Sequence, residues 1–251
     1  EDILRLIRDA RTAAAAQWHD FDLLRNALPA DGTLELTDHS REYSCLIVTG
    51  PQSRALFQAV GTQADLSQPW LSFQDATVSG IPCKLARVSF SGERVWEVHA
   101  KNDAIPALYE AILKAGATPF GMYALNALRI EKGYRAWKGD LSTDYSLLEG
   151  GLDRFIKFDK PQDFPGKAAL LSEKQQGSSK RFVTLTVEAG EADAPYMSTL
   201  WHNGRVVGET TSGAIGYRVG ASIALGMLKS ELTTPGTELE VDIFGTRCRA
   251  T

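Results

Sequence analysis

"ATVSGIPCKLARVSFSGERVWEVHAKNDAIPALYEAILKAG", residues 76–116, decides the fold class. Two Ser-Gly pairs, Ser79-Gly80 and Ser91-Gly92, punctuate runs rich in β-forming residues. The stretch therefore reads as two or three strands joined by turns. The period then changes. Ile105, Leu108 and Ile112 repeat on one helical face, Asn102 or Asp103 offers an N-cap, and Gly116 closes the helix. Strands followed by a helix predict an α+β layer, with helices packed on an antiparallel sheet.

One residue strains against that pattern. Side chains alternate along a strand, so Val95 and Glu97 face one side and Trp96 and Val98 the other. A tight Ser91-Gly92 turn would place Phe90 beside Glu97. Periodicity favours plain solvation of Glu97. The alternative is a carboxylate in an aromatic-lined cleft, accepting hydrogen bonds from a flat heterocycle that bears N–H and NH₂ groups. Glu93, beside the turn, reads as a surface residue.

The same grammar extends in both directions. The opening "EDILRLIRDARTAAAAQWHD" is helix-prone, with Ile3, Leu4, Leu6 and Ile7 at helical spacing. "YSCLIVTG", 43–50, reads as a buried strand, and "PQSRALFQAVG", 51–61, as a short helix with Leu56, Phe57 and Val60 on its apolar face. A further helix is expected from about Met122 to Lys132, ended by Gly133, and another around Lys167 to Lys174. Beyond Lys180 the chain turns to short strands, with Asn203-Gly204 a type I′ hairpin signal and Pro235-Gly236 another turn. That rhythm predicts a small sandwich or barrel. The residues thus suggest an N-terminal helical segment (1–34), a main domain (35–180) and a C-terminal domain (181–251).

The bulk numbers bound the function. The chain has 251 residues, 43% hydrophobic and 23% charged, with a net charge of −4. That is ordinary for a soluble globular protein and gives no basic footprint for nucleic acid or anionic membrane. No apolar run is long enough for a transmembrane helix. Cys45, Cys83 and Cys248 are scattered and form no CxxC pair, so neither a disulfide framework nor a metal site is expected. His19, His39, His99 and His202 lack metal-ligand spacing. "SGAIGYRVG", 212–220, fails the dinucleotide-binding spacing, and its glycines read as turns or close backbone contacts. Arg129, in "ALRIEKGY", reads as a solvated helix residue or as a planar partner for a carboxylate. The chain opens Glu-Asp-Ile, without Met or a signal-peptide pattern, as a processed, engineered or partial chain would.

Three stretches, in order, carry a resemblance: "RVSFSGERVWEVHA", "PFGMYALNALRIEKGYRAWKGDLSTDYSLLEGGLDRFIKFDKPQDFPGKAALL" and "GETTSGAIGYRVGASIALGML". Together they resemble the folate-dependent aminomethyltransferase family. That family includes the T-protein of the glycine cleavage system and the C-terminal half of dimethylglycine and sarcosine dehydrogenases and oxidases. The "FGMYALNALRIEKGYRAW" form is similar to the dimethylglycine/sarcosine branch. The resemblance runs from about Glu35 to the end.

It implies a folate-binding α+β module followed by a small C-terminal β-barrel. It also implies tetrahydrofolate as the acceptor of a one-carbon unit, forming 5,10-methylenetetrahydrofolate. The family's pterin-binding glutamate falls on Glu97, in the "GE-x-x-W/F-E" motif. Phe90 stands where the family usually has Tyr, so one hydroxyl is lost. Arg129 would hold part of the folate, and Trp137, eight residues later, would line its cleft. The family's catalytic aspartate and its nearby tyrosine find no match, since Asp20, Asp22, Asp31 and Asp38 do not fit that segment. The catalytic residues are therefore unassigned, and part of the family module is expected to be missing. FAD is expected only through a missing flavin-containing domain or a partner subunit. Cytoplasmic location is expected, or the mitochondrial matrix in a eukaryote. The alternative is a non-catalytic folate-binding accessory protein or structural subunit, similar to the iron–sulfur maintenance relatives of the T-protein. Their Lys-Gly-Cys-Tyr motif is here "EKGYRAW", without the cysteine.

Overall fold

A computed structural model describes residues 12–251. Ile3, Leu4, Leu6 and Ile7 of the expected N-terminal helix lie outside the described residues. The chain divides into two compact units, one up to Gly121 and one from Met122.

The first unit is built on a four-stranded antiparallel sheet. Its strands are β1 (Tyr43–Thr49), β2 (Phe73–Val78), β3 (Ile81–Ala86) and β4 (Val95–Lys101), in the order β1-β4-β3-β2. Helix α1 (Gln17–Asn26) precedes the sheet, α2 (Ser53–Ala59) follows β1, and α3 (Ile105–Lys114) follows β4. The strand alternation is the one expected from sequence. Trp96, Val98 and Ala100 face a core with Val78, Cys83 and Leu85 of the sheet, Phe57 of α2, and Leu108 and Ile112 of α3. The Phe57 and Trp96 rings meet at 5.5 Å and 62°, an edge-on contact between two fully buried side chains.

Three local readings change. Ser79 and Gly80 both take positive φ (52° and 76°), so β2 and β3 join by a two-residue turn as expected. The second Ser-Gly pair does not make a tight hairpin. Residues 87–94 form a longer loop between β3 and β4, in which Ser89 Oγ accepts from the Gly92 amide at 3.0 Å and donates to the Glu93 carbonyl at 2.9 Å. Ala86, not Phe90, therefore stands opposite Glu97. The run 43–50 is an edge strand with Val48 alone buried, because β4 covers one of its edges and no strand among the described residues covers the other. Helix α3 has no side-chain cap: Asn102 instead accepts from Ser44 Oγ at 2.7 Å and donates to the Arg41 carbonyl at 2.7 Å.

The second unit begins with α4 (Met122–Glu131), continues through a long loop to α5 (Lys167–Gln176), and ends in a closed barrel. The barrel strands are β5 (Lys180–Val187), β6 (Thr199–His202), β7 (Arg205–Gly216), β8 (Ala221–Lys229), β9 (Leu239–Ile243) and β10 (Thr246–Ala250). Their order is β10-β5-β8-β7-β6-β9. The first barrel strand starts at Lys180, whereas the two compact units divide between Gly121 and Met122. Leu185, Leu200, Leu228, Leu239 and Val241 are among the residues of its core. Asn203 and Gly204 take positive φ (50° and 73°) in the turn between β6 and β7. Helix α4 packs on the barrel through Ile130, against Ile223 and Leu225 of β8. Two glycines of "SGAIGYRVG" serve close packing, since a Cβ on Gly213 would lie 2.1 Å from the Ala194 carbonyl oxygen and one on Gly216 2.6 Å from Ile223 Cδ1, whereas Gly220 turns the chain at φ 70°.

Candidate functional site

Glu97 lies on the sheet face opposite the core. Directly paired residues of an antiparallel sheet share a face. The row through Glu97 runs Ile47 (β1), Glu97 (β4), Ala86 (β3), Phe73 (β2). Ile47 and Phe73 are exposed at 39% and 42%, and the Glu97 side chain at 29%. A carboxylate thus sits in the middle of a partly exposed apolar strip, a surface on which a flat ring can lie while its edge meets an anion.

The next row adds chemistry that sequence spacing concealed. It runs Cys45 (β1), His99 (β4), Lys84 (β3), Asp75 (β2). His99 Nε2 is 3.0 Å from Glu97 Oε2 and 3.8 Å from Cys45 Sγ. The imidazole fixes the direction of the carboxylate. Lys84 reaches the other way, with Nζ 3.0 Å from Asp75 Oδ1. Cys45 and His99 are 54 residues apart, and only strand register brings them together.

Phe90 sits half-buried in the 87–94 loop, off the strands. Trp96 is fully buried in the core and lines no cleft. The Arg87 guanidinium covers its ring at 4.5 Å while donating to the Val95 carbonyl at 2.8 Å. Burial first, then like charge from Arg94 and Arg54, lowers the Arg87 pKa from its ordinary value.

Arg129 and Trp137 belong to the second unit. Arg129 is buried, and four of its five N–H donors are occupied. Nε donates to Asn126 Oδ1 at 2.9 Å, Nη1 to the Tyr134 carbonyl at 3.1 Å and to Asp140, and Nη2 to Ser212 Oγ at 2.7 Å. The helix position was legible, but this burial was not: the partners come from 3 to 83 residues away. Arg129 thus has a structural role, clasping α4 to β7. Asp140 carries the clasp onward by accepting from the Ala136 amide at 2.8 Å. Trp137 follows on that same loop, half-buried, with its indole Nε1 shielded from solvent and without a hydrogen-bond partner. That N–H is a donor suited to a ligand acceptor. Tyr145, farther along, has its hydroxyl 3.2 Å from Glu209 Oε1; burial, then the Glu209 charge, pushes its pKa up to about 12.

Among the described residues no helix is long and apolar enough to cross a membrane.

Comparison with known proteins gives this arrangement a family. Residues 9–160 match the GCVT N-terminal domain, and residues 180–251 match the glycine cleavage T-protein C-terminal barrel domain. Over 248 residues the chain is 37% identical to mitochondrial dimethylglycine dehydrogenase of Rattus norvegicus, covering 96% of this chain and 29% of that protein. It is 36% identical to an aminomethyltransferase of Rippkaea orientalis, covering 85% of this chain and 58% of that protein. It is 35% identical to mitochondrial sarcosine dehydrogenase of Mus musculus, covering 78% of this chain and 22% of that protein. The chain therefore spans less than two thirds of each of these relatives, and under a third of the two dehydrogenases. The glycine cleavage system aminomethyltransferase T of Bartonella henselae shares the fold, with a TM-score of 0.81 over 94% of this chain and 64% of that one, at 22% identity. An antiparallel sheet with packed helices, followed by a closed barrel, is thus the build of a known family: the chain belongs to the glycine cleavage T-protein family of aminomethyltransferases, and is related to the dimethylglycine and sarcosine dehydrogenases.

Proposed function

We propose that the chain is the tetrahydrofolate-binding, one-carbon transfer module of a demethylating enzyme of the dimethylglycine/sarcosine type. The observation that carries this reading is the placement of Glu97: a partly exposed carboxylate, oriented by His99, in the apolar row Ile47–Glu97–Ala86–Phe73. A pterin presents an exocyclic amine and a ring N–H along one edge. Glu97 accepts both, and the charged acceptor makes these bonds stronger than neutral ones. The apolar neighbours exclude water from the ring faces.

Tetrahydrofolate supplies the nucleophilic nitrogen that captures the carbon of an iminium, giving 5,10-methylenetetrahydrofolate and the demethylated amine. The role of this chain is positioning, which is worth several kcal/mol when the geometry is right. Oxidation of the N-methyl amine belongs to a flavin carried outside this chain, on another domain or a partner subunit. Trp137, with its unpaired N–H, is a second candidate folate contact. Arg129 is not assigned one, because it is buried and four of its five N–H donors are already engaged inside the protein. Calorimetric titration of the chain with tetrahydrofolate tests the reading: binding that is lost in Glu97→Gln supports it.

A further inference from the structure

We propose that Cys45, His99 and Glu97 form a binding site for a zinc-like divalent ion, and that an ion bound there takes Glu97 away from the pterin. The first part stands on geometry alone. The second rests on the folate reading above.

One ligand atom from each residue lies within 4.8 Å of the other two. Sγ and Nε2 are 3.8 Å apart, Nε2 and Oε2 3.0 Å. Tetrahedral zinc, with bonds of about 2.3 Å to sulfur and about 2.1 Å to nitrogen and oxygen, needs spacings of about 3.6 Å and about 3.4 Å. The two spacings that involve Nε2 are therefore within a few tenths of an ångström of those values, and Sγ and the carboxylate oxygen lie no more than 4.8 Å apart. The three residues stand on adjacent paired strands, so the backbone of the sheet has already ordered them. Thiolate, neutral imidazole and carboxylate balance a 2+ charge. The sulfur–nitrogen–oxygen set suits Zn²⁺ or Co²⁺ and not Mg²⁺ or Ca²⁺, which prefer oxygen alone. Cys45 is exposed, so solvent reaches its side of the site. The nearby cation, Lys84, is neutralised by Asp75. A metal bound at Nε2 takes the place of the hydrogen bond between Nε2 and Glu97.

Titration of the tag-free chain with Co²⁺ tests the site without any folate. The expected result is one Co²⁺ per chain, with a near-ultraviolet thiolate-to-cobalt band and visible bands of tetrahedral strength. Cys45→Ser removes the near-ultraviolet band with unchanged far-ultraviolet circular dichroism. His99→Ala weakens binding by at least about tenfold, a loss seen even for residues one shell farther out. No such band at millimolar Co²⁺, or a band that survives Cys45→Ser, overturns the site. In a second arm, Zn²⁺ weakens tetrahydrofolate binding to the wild-type chain and not to Cys45→Ser. Metal binding that leaves folate affinity untouched overturns the competition and leaves the site standing. A chain that binds no folate overturns the proposed function, while the cobalt spectrum still decides the metal site.

Discussion

Arg129 and Asp140 form an ion pair closed off from water, with side chains 4% and 0% exposed. Asp140 also accepts from Ser212 Oγ at 2.8 Å and from the Thr211 hydroxyl, and so joins α4, the 136–141 loop and β7. Removing one partner of such a pair strands a charge in a dry interior. Arg129→Ala is expected to cost about 3–5 kcal/mol of stability. Urea unfolding followed by tryptophan fluorescence measures it, and a loss below about 1 kcal/mol would mean that the clasp does not hold this unit together.

Gly213 is the backbone counterpart of that clasp. Its Cβ would lie 2.1 Å from the Ala194 carbonyl oxygen, so Gly213→Ala must push two strands of chain apart. The expected cost is about 1–3 kcal/mol. Gly190→Ala is the control, since nothing lies within 4 Å of its Cβ. Thermal melts of the two variants should separate clearly. Equal midpoints would contradict the close approach.

The cysteines predict a reactivity order and a pH dependence. Burial pushes the Cys83 thiol up to about 11 from 9.0, whereas Cys45 is exposed. In metal-free protein at pH 8, Cys45 is alkylated readily and Cys83 resists until the chain unfolds. Cys83 also affects stability. Between pH 9.0 and about 11 the unfolded chain has lost this thiol proton while the folded chain keeps it. The contribution is therefore complete below pH 9.0 and is lost as pH rises through the folded value. Tyr145 adds a loss of the same sign, between 10.0 and about 12. Denaturant midpoints measured from pH 8 to 11 should fall, and less steeply in Cys83→Ala. A slope unchanged by that substitution would remove Cys83 from the account.

These sites show what a sequence can and cannot carry. Alternation placed Glu97 and Trp96 on opposite faces because the side-chain period of a strand is a local property. Asn203-Gly204 and Ser79-Gly80 announced their turns because few residues tolerate two successive positive φ values. Ser91-Gly92 misled: Gly92 does turn at φ 79°, but the serines around it hydrogen-bond within the loop and hold eight residues off the strands. The run 43–50 looked buried because its composition is apolar, whereas its edge position follows from pairing order, which is not local. Arg129 and His99 were legible as residues on a helix and a strand. Their partners, Ser212 and Cys45, arrive from distant sequence through the barrel and the sheet.

The central claim concerns Glu97. Glu97→Gln keeps the size and removes the charge, and Gln can still accept one hydrogen bond. Hydrogen bonds to a charged group contribute about 1.5–3 kcal/mol each, so affinity for tetrahydrofolate should fall at least about tenfold. Calorimetric titration of both chains, with circular dichroism confirming equal folding, measures it most directly. The account predicts saturable binding by the wild-type chain and binding at least about tenfold weaker in Glu97→Gln. Equal affinity in the two chains, or no binding by the wild type at high micromolar folate, would contradict it.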